Sequence, residues 1–278
     1  MARINKVFII LVVFILSCSP AHALRVVSLY PGHSDNIYAI EAGDSLVALS
    51  QNDNPELLPD LPRISLKAGA ETLLALKPDL VITRNVTRSL NPATYETLER
   101  AGVRVLTLDP PNWETFPQYI TTLAQAVGVD GEGALRKLAA LTQSINDRVP
   151  EDRPRPRVFL EATSREVRTC APDSWAAKLI ALAGGENIAS TAQPLKPGSP
   201  LASWGAERLL QAADSIDVYI IQTGVMNTAT VSDFYARTWS KALTHAKVVE
   251  IPEMFISRPS LLGLEHGANM LLKIFWGD

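Results

Sequence analysis

Apolar residues along this chain fall in short runs closed by Gly, Pro or Asp, with amphipathic stretches between the runs. The arrangement occurs twice. Residues 70–83 read AETLLALKPDLVIT and residues 206–222 read AERLLQAADSIDVYIIQ. Each copy has Ala-Glu, then Leu-Leu, then a polar turn containing Asp, then a run rich in Val and Ile. The echo continues downstream, where AGVRVLTLDPP (101–111) matches HAKVVEIPE (245–253). Related halves, joined once, predict two lobes with a cleft between them, and such clefts are where small ligands bind.

The runs at 25–29, 46–49, 80–83 and 103–108 predict strands in the first half, and those at 158–161, 217–222 and 248–251 in the second. Segments 34–43, 71–76, 94–101, 175–183, 207–212 and 261–274 predict helices, the first capped by Ser34-Asp35. Stretches 52–62 and 189–200 read as loops. Strands alternating with helices imply an α/β fold with mostly parallel sheets covered on both faces.

The middle of the chain differs, since 113–149 carries no strand signal. One helix is expected over 119–127, stopping at Gly128. Asp130 then caps a second running to about Val149, with Leu135, Leu138, Leu141, Ile145 and Val149 close to one stripe. That helix would span ~28 Å. The expected architecture is therefore two Rossmann-like lobes (24–115 and 151–278) joined by a helical spine (116–150). A stiff helix as connector predicts small changes of lobe angle on binding.

Residues 1–23 read as a secretion leader. Arg3 and Lys6 precede an apolar run at 7–16 that is too short to span a bilayer comfortably, and Ala21-His22-Ala23 is a small-x-small cleavage site. Ile15-Leu16-Ser17-Cys18 also resembles a lipoprotein box, which would make Cys18 a lipidated terminus. Removing the leader takes two of the 26 basic residues and none of the 29 acidic ones, so the net charge moves from −3 to −5. An acidic mature chain argues against a nucleic-acid partner. Cys170 is then alone, which excludes an intrachain disulfide. His33, His245 and His266 lack metal-ligand spacing, so no resident metal site is expected.

Four stretches, in this order and spacing, resemble the periplasmic substrate-binding proteins of importers for cobalamin, ferric siderophores and haem. They are RVVSLYPGHSDNIYAIEAGDSLVALS (25–50), LLALKPDLVI (73–82), LIALAGGENI (179–188) and SRPSLLGLEHGANMLL (257–272). The resemblance runs from Arg25 to about Trp276. It implies two lobes bridged by one long helix, a monomer that binds a metal chelate carrying its own metal, and an ABC permease dimer in the inner membrane as partner. It also implies that Glu71 and Glu207, at the same place in the internal repeat, dock on that permease. Two exposed carboxylates, one per lobe, make a two-point electrostatic key. Each also suits a solvated first turn of a helix, favoured by the helix dipole.

Cobalamin binders of this type line their cleft with Tyr and Trp, whereas aromatics are only 6% here. Asn52 and Arg84 stand where cleft aromatics are expected, and Arg88, Arg165, Arg168 and Arg258 occupy other candidate rim positions. A guanidinium fork suits anionic oxygens. Tyr30, His33 and Ser34 are expected at the cleft edge, Tyr30 or His33 as an iron ligand should haem bind. Trp204 is a candidate apolar wall. The expected binding set is Tyr30, Asn52, Arg84, Arg168, Trp204 and Arg258, facing an anionic chelate. A ferric siderophore comes first, with corrinoid or haem behind it.

Two other classes fit parts of the sequence. Gly32-His33-Ser34-Asp35-Asn36, between a strand and a helix, resembles a serine-hydrolase nucleophile elbow, but its last position is Asn instead of Gly. A free-standing scavenger of the same fold would leave Glu71 and Glu207 idle.

Overall fold

Aliphatic and β-branched runs form the strands because both faces of a parallel sheet are buried, so the runs are nearly continuous. The computed structural model describes residues 23–277, and the leader expectation, with Arg3, Lys6 and Cys18, lies outside them. The first lobe comprises β1 (Val26–Ser28), α1 (Pro31–Ala39), β2 (Leu46–Ser50), β3 (Arg63–Ile64), α2 (Ala70–Ala75), β4 (Leu80–Thr83), α3 (Asn85–Leu90), α4 (Pro92–Arg100) and β5 (Arg104–Thr107). Its five strands are all parallel, in the order β3-β2-β1-β4-β5. Helices α5 (Phe116–Val127) and α6 (Gly131–Asn146) follow.

The second lobe comprises β6 (Arg157–Glu161), β7 (Thr169–Cys170), α7 (Trp175–Leu182), β8 (Glu186–Asn187), β9 (Gln193–Pro194), β10 (Leu201–Ser203), α8 (Ala206–Gln211), β11 (Val218–Thr223), α9 (Val231–Ala236), β12 (Lys247–Pro252), α10 (Glu253–Ile256) and α11 (Leu261–Trp276). Its main sheet is parallel, β12-β11-β6-β8, and a small antiparallel sheet, β7-β10-β9, stands beside it.

The repeated Asp has a structural job in both lobes. Asp79 accepts from the Arg25 amide at 2.8 Å, and Asp217 accepts from the Arg157 amide at 2.7 Å. Each carboxylate thus closes the start of the neighbouring strand, β1 or β6.

Side chains alternate across each sheet. Val26, Leu80 and Ile82 face the helices between the lobes, and so do Val158, Leu160 and Ile220. Phe116, Ile120 and Leu123 of α5, Ile145 of α6 and Leu264 and Leu271 of α11 pack with them in one continuous core. Val27, Leu29 and Val81 face a separate core outside the first sheet, and Phe159, Tyr219 and Ile221 one outside the second.

The lobes are also clasped directly. Asn36 of α1, fully buried, donates to the Pro259 carbonyl at 3.1 Å and accepts from the Leu261 amide at 3.0 Å, capping α11 from the other lobe.

Two expectations need correction. Helix α1 starts at Pro31, not at a Ser34-Asp35 cap, because proline fits the first turn without needing its missing N–H. The spine α6 ends at Asn146, spanning ~24 Å instead of ~28 Å. Its start is as expected, with the Asp130 side chain accepting from Glu132 and Gly133 amides.

Candidate ligand-binding cleft

Strand order in the first lobe reverses between β1 and β4, and open α/β sheets bind ligands outside the carboxyl ends of the strands at such a point. β1 runs into Tyr30 and β4 into Arg84. The Arg84 guanidinium lies over the Tyr30 ring, 4.8 Å from its centre. Arg258, just after α10, approaches from the second lobe. It lies 3.5 Å from Asp35 of α1 and 3.9 Å from Glu253. Burial raises the Tyr30 hydroxyl above its ordinary value, while Arg258 and Arg84 pull it back in part. The phenol therefore stays protonated at neutral pH and offers a donor, not a phenolate.

This cluster is rich in unused hydrogen-bonding capacity. Arg84 Nε, Arg258 Nη1, Arg63 Nη1, Asp35 Oδ1 and both Asp53 carboxylate oxygens are buried without a hydrogen-bond partner. Buried polar atoms are normally satisfied, so this concentration singles the cluster out as the candidate site. Burial pushes the Asp35 carboxyl up to about 6, partly offset by Arg258. Asp53, beside β2, is also pushed up to about 6 by burial, partly offset by Ser34 and then Arg258.

The second lobe has its own reversal point, between β6 and β11. There Glu161, fully buried, accepts from Tyr219 at 2.5 Å, from Asn227 at 3.3 Å and from both arms of Arg237, Nη2 at 3.1 Å. This network is closed. Asn227 also accepts from the Ser164 and Ala229 amides, fixing the turn after β11. That turn packs against the cleft, since a Cβ on Gly224 would lie 2.6 Å from Glu253 Oε2. Its tip, Val225 and Met226, is exposed.

Of the six expected binding residues, the fold brings Tyr30, Arg84 and Arg258 together. Asn52 is exposed, and its buried neighbour Asp53 is the residue that joins the cluster. Arg168 pairs with Glu166 at 2.6 Å. Trp204 tilts against Phe159 of the second core, with Arg208 over its ring, and borders an open groove of about 490 Å³ with Gln193 and Gln211. Arg88 is spent on Glu99 and the Tyr95 ring, and Arg165 is exposed.

His33 and Ser34 do not reach the cleft edge, because α1 begins at Pro31, three residues before the expected start at Ser34, and turns both inward. His33 is fully buried, its Nδ1 2.7 Å from Tyr119 Oη, and burial with nearby Arg84 lowers its imidazole to about 3. An inaccessible ring whose Nδ1 already faces Tyr119 is no ligand for iron. Ser34 is also fully buried and donates to Ser28 Oγ at 2.8 Å, so the elbow reading has no exposed nucleophile. Burial likewise pushes the Cys170 thiol up to about 11. Among the described residues, no His/Cys/Asp/Glu group is arranged to hold a metal ion.

Glu71 and Glu207 are exposed in the first turns of α2 and α8. Each helix runs back to the start of the next parallel strand, so both helix starts lie toward the carboxyl edge of the sheets, the edge that carries the cleft.

Asp35, Asp53, Arg63 and Glu253 also belong to this cluster, and sequence reasoning did not assign them to the cleft. Asp35 lay hidden inside a presumed cap. The usable signal was IPEMFISRP (251–259), which sets an acid and an arginine after the last strand.

Residues 26–254 match the family described as periplasmic binding protein. A vitamin B12-binding protein of Yersinia pseudotuberculosis is 30% identical over 187 residues, spanning 65% of this chain and 65% of that protein. The fold is shared with a periplasmic haem-binding protein of Roseiflexus sp. RS-1 (TM-score 0.70, 21% identity, 90% of this chain and 98% of that one). It is shared too with a Helicobacter pylori protein solved with Ni(II) bound (TM-score 0.66, 16% identity, 92% and 84%). The doubled α/β architecture and this match across most of the sequence together show that the chain belongs to the periplasmic binding protein family.

Proposed function

We propose that the protein is the solute-binding component of an ABC importer, holding a metal chelate between lobes 24–115 and 151–278 and handing it on unaltered. The observation that carries this is the convergence of Tyr30 and Arg84 from one lobe with Arg258 from the other, both arginines with a buried N–H group unpartnered. The chain acts as a monomer in the periplasm, delivered there by its leader, with lipidation at Cys18 as the alternative to cleavage after Ala23. Among the described residues no helix is long and apolar enough to cross a membrane.

The arginines favour a chelate bearing carboxylate or hydroxamate oxygens, first a ferric siderophore. A corrinoid is the second reading, favoured by the 30% identity to vitamin B12-binding relatives. Native mass spectrometry after incubation with ferric siderophores, haemin and cyanocobalamin tests both. One of them is retained with its mass unchanged, and chemical turnover by the pure protein refutes the reading.

Glu71 and Glu207 are the permease contacts in this reading. Reversing both charges abolishes uptake by cells while the purified protein keeps near-native affinity. Loss of affinity instead would assign them to the pocket.

A further inference from the structure

The floor of the cleft is nearly charge-compensated. Arg84, Arg258 and Arg63 face Asp35, Asp53 and Glu253, and Tyr30 and Tyr119 are the other titratable groups within reach of Asp35. These groups come from α1, the loop after β2, β3, the end of β4, α5 and α10, which encloses the site. An anion arriving there meets no free positive field. To seat on Arg258 it must replace a carboxylate already facing that guanidinium.

Arg258 is placed for such an exchange. Its carboxylates stand 3.5 and 3.9 Å away, longer than the ~2.7–2.9 Å of a charge-assisted hydrogen bond. Its Nη1 has no hydrogen-bond acceptor. The Asp35 side chain is only 3% exposed, so once displaced its charge is poorly solvated by water. Its Oδ1 is unpartnered, and Asp53 beside it has both oxygens unpartnered. A buried carboxylate that loses its counter-ion is strongly disfavoured, and taking up a proton relieves it.

We infer that Asp35 and Asp53 couple uptake of an anionic ligand to protonation: the ligand's anionic group takes over as counter-ion of Arg258, and the displaced carboxylate binds a proton from solvent. Asp35 and Asp53 are thus positioning residues that set which ligand charge the cleft accepts. This rests on the chelate-binding reading of the cleft. Both carboxyls already stand at about 6 in the empty cleft, so little further change tips them to the neutral form near pH 7. The cleft then favours anionic chelates increasingly as the medium acidifies, by at most about tenfold per pH unit for one coupled proton. A neutral ligand gains no such advantage.

The test is calorimetric titration at about pH 7 in two buffers of different ionisation heat, with haemin (two carboxylates) and cyanocobalamin (no net charge) as probes. Haemin binds with uptake of about one proton, and cyanocobalamin with close to none. Asp35→Asn and Asp53→Asn together abolish the uptake and strengthen haemin binding at higher pH. Equal uptake in the double variant and wild type, or haemin binding without uptake, overturns the inference. Carbon-13 NMR of the aspartate carboxyls in wild type gives a second reading that needs neither variant nor ligand. Two buried carboxyls titrate near pH 6, and their complete ionisation at about pH 5 overturns the proposal. Failure of both probes to bind counts against the chelate reading, and the carboxyl titration alone then decides the proposal.

Discussion

The two strand-order reversals of this molecule are built from similar parts and finished differently. In the second lobe Glu161 sits at a reversal point, as ligand-facing groups do, yet its oxygens are taken by Tyr219, Asn227 and Arg237. In the first lobe Arg63, Arg84, Asp35 and Asp53, with Arg258 from across the gap, leave a set of polar atoms without partners. A position in the fold does not make a site. Unspent hydrogen-bonding capacity at that position does.

The comparison breaks most visibly if the closed network is opened. Arg237→Ala leaves the Glu161 carboxylate buried and unpaired, and destabilises the fold by about 3–5 kcal/mol in chemical denaturation. A loss under about 1 kcal/mol would mean that the two reversal points are equally open.

The converse change belongs to the first lobe. Arg84→Ala leaves the denaturation midpoint close to wild type and weakens binding of the identified chelate by roughly thirtyfold or more, measured by titration. Unchanged affinity would remove Arg84 from the site.

A smaller effect separates the lobes by pH. The Asp53 carboxyl stands at about 6 in the fold against 3.8 for the unperturbed group. Its favourable contribution is present below about pH 4 and is lost as pH rises through 6. Asp53→Asn therefore stabilises the protein at about pH 7.5, by about 1–2 kcal/mol, and the difference from wild type closes toward pH 4. Thermal unfolding across that range checks the sign, and a variant less stable at every pH would contradict it. The smallest change is Val225→Ser at the 85%-exposed tip beside the cleft, which alters stability by less than about 0.5 kcal/mol.

Much of the fold was legible because it lies in runs. Strands β4, β6 and β11 are buried on both faces, so their sequences are nearly all apolar, and the two copies of the repeat reinforced each other. Elements whose stability comes from elsewhere were silent. α3 reads NVTRSL, with no apolar stripe, and is held by Asn85–Asp109 and Arg88–Glu99 contacts. α9 did advertise itself through Thr230 and Asp233, a reciprocal capping box. The two- and three-residue strands β7, β9 and β10 are too short to show a period.

Three of the six expected binding residues come together for one reason: Tyr30, Arg84 and Arg258 each follow the carboxyl end of a strand, Arg258 after the short helix α10. The four missed residues depend on distant pairing. No local pattern sets Asp35 beside Arg258, more than two hundred positions away.

The clasp by Asn36 has a mechanical consequence. Helix α1 starts at Pro31, just after Tyr30, and one turn and a half later its Asn36 grips the first turn of α11. Parting the lobes there would strand the Asn36 amide, the Leu261 amide and the Pro259 carbonyl in a dry interior. The joint therefore behaves as a fulcrum set almost beneath the load. Any breathing of the lobes that keeps these bonds pivots about the joint, so Tyr30 and Arg258, close to it along the chain, move less than residues far from it.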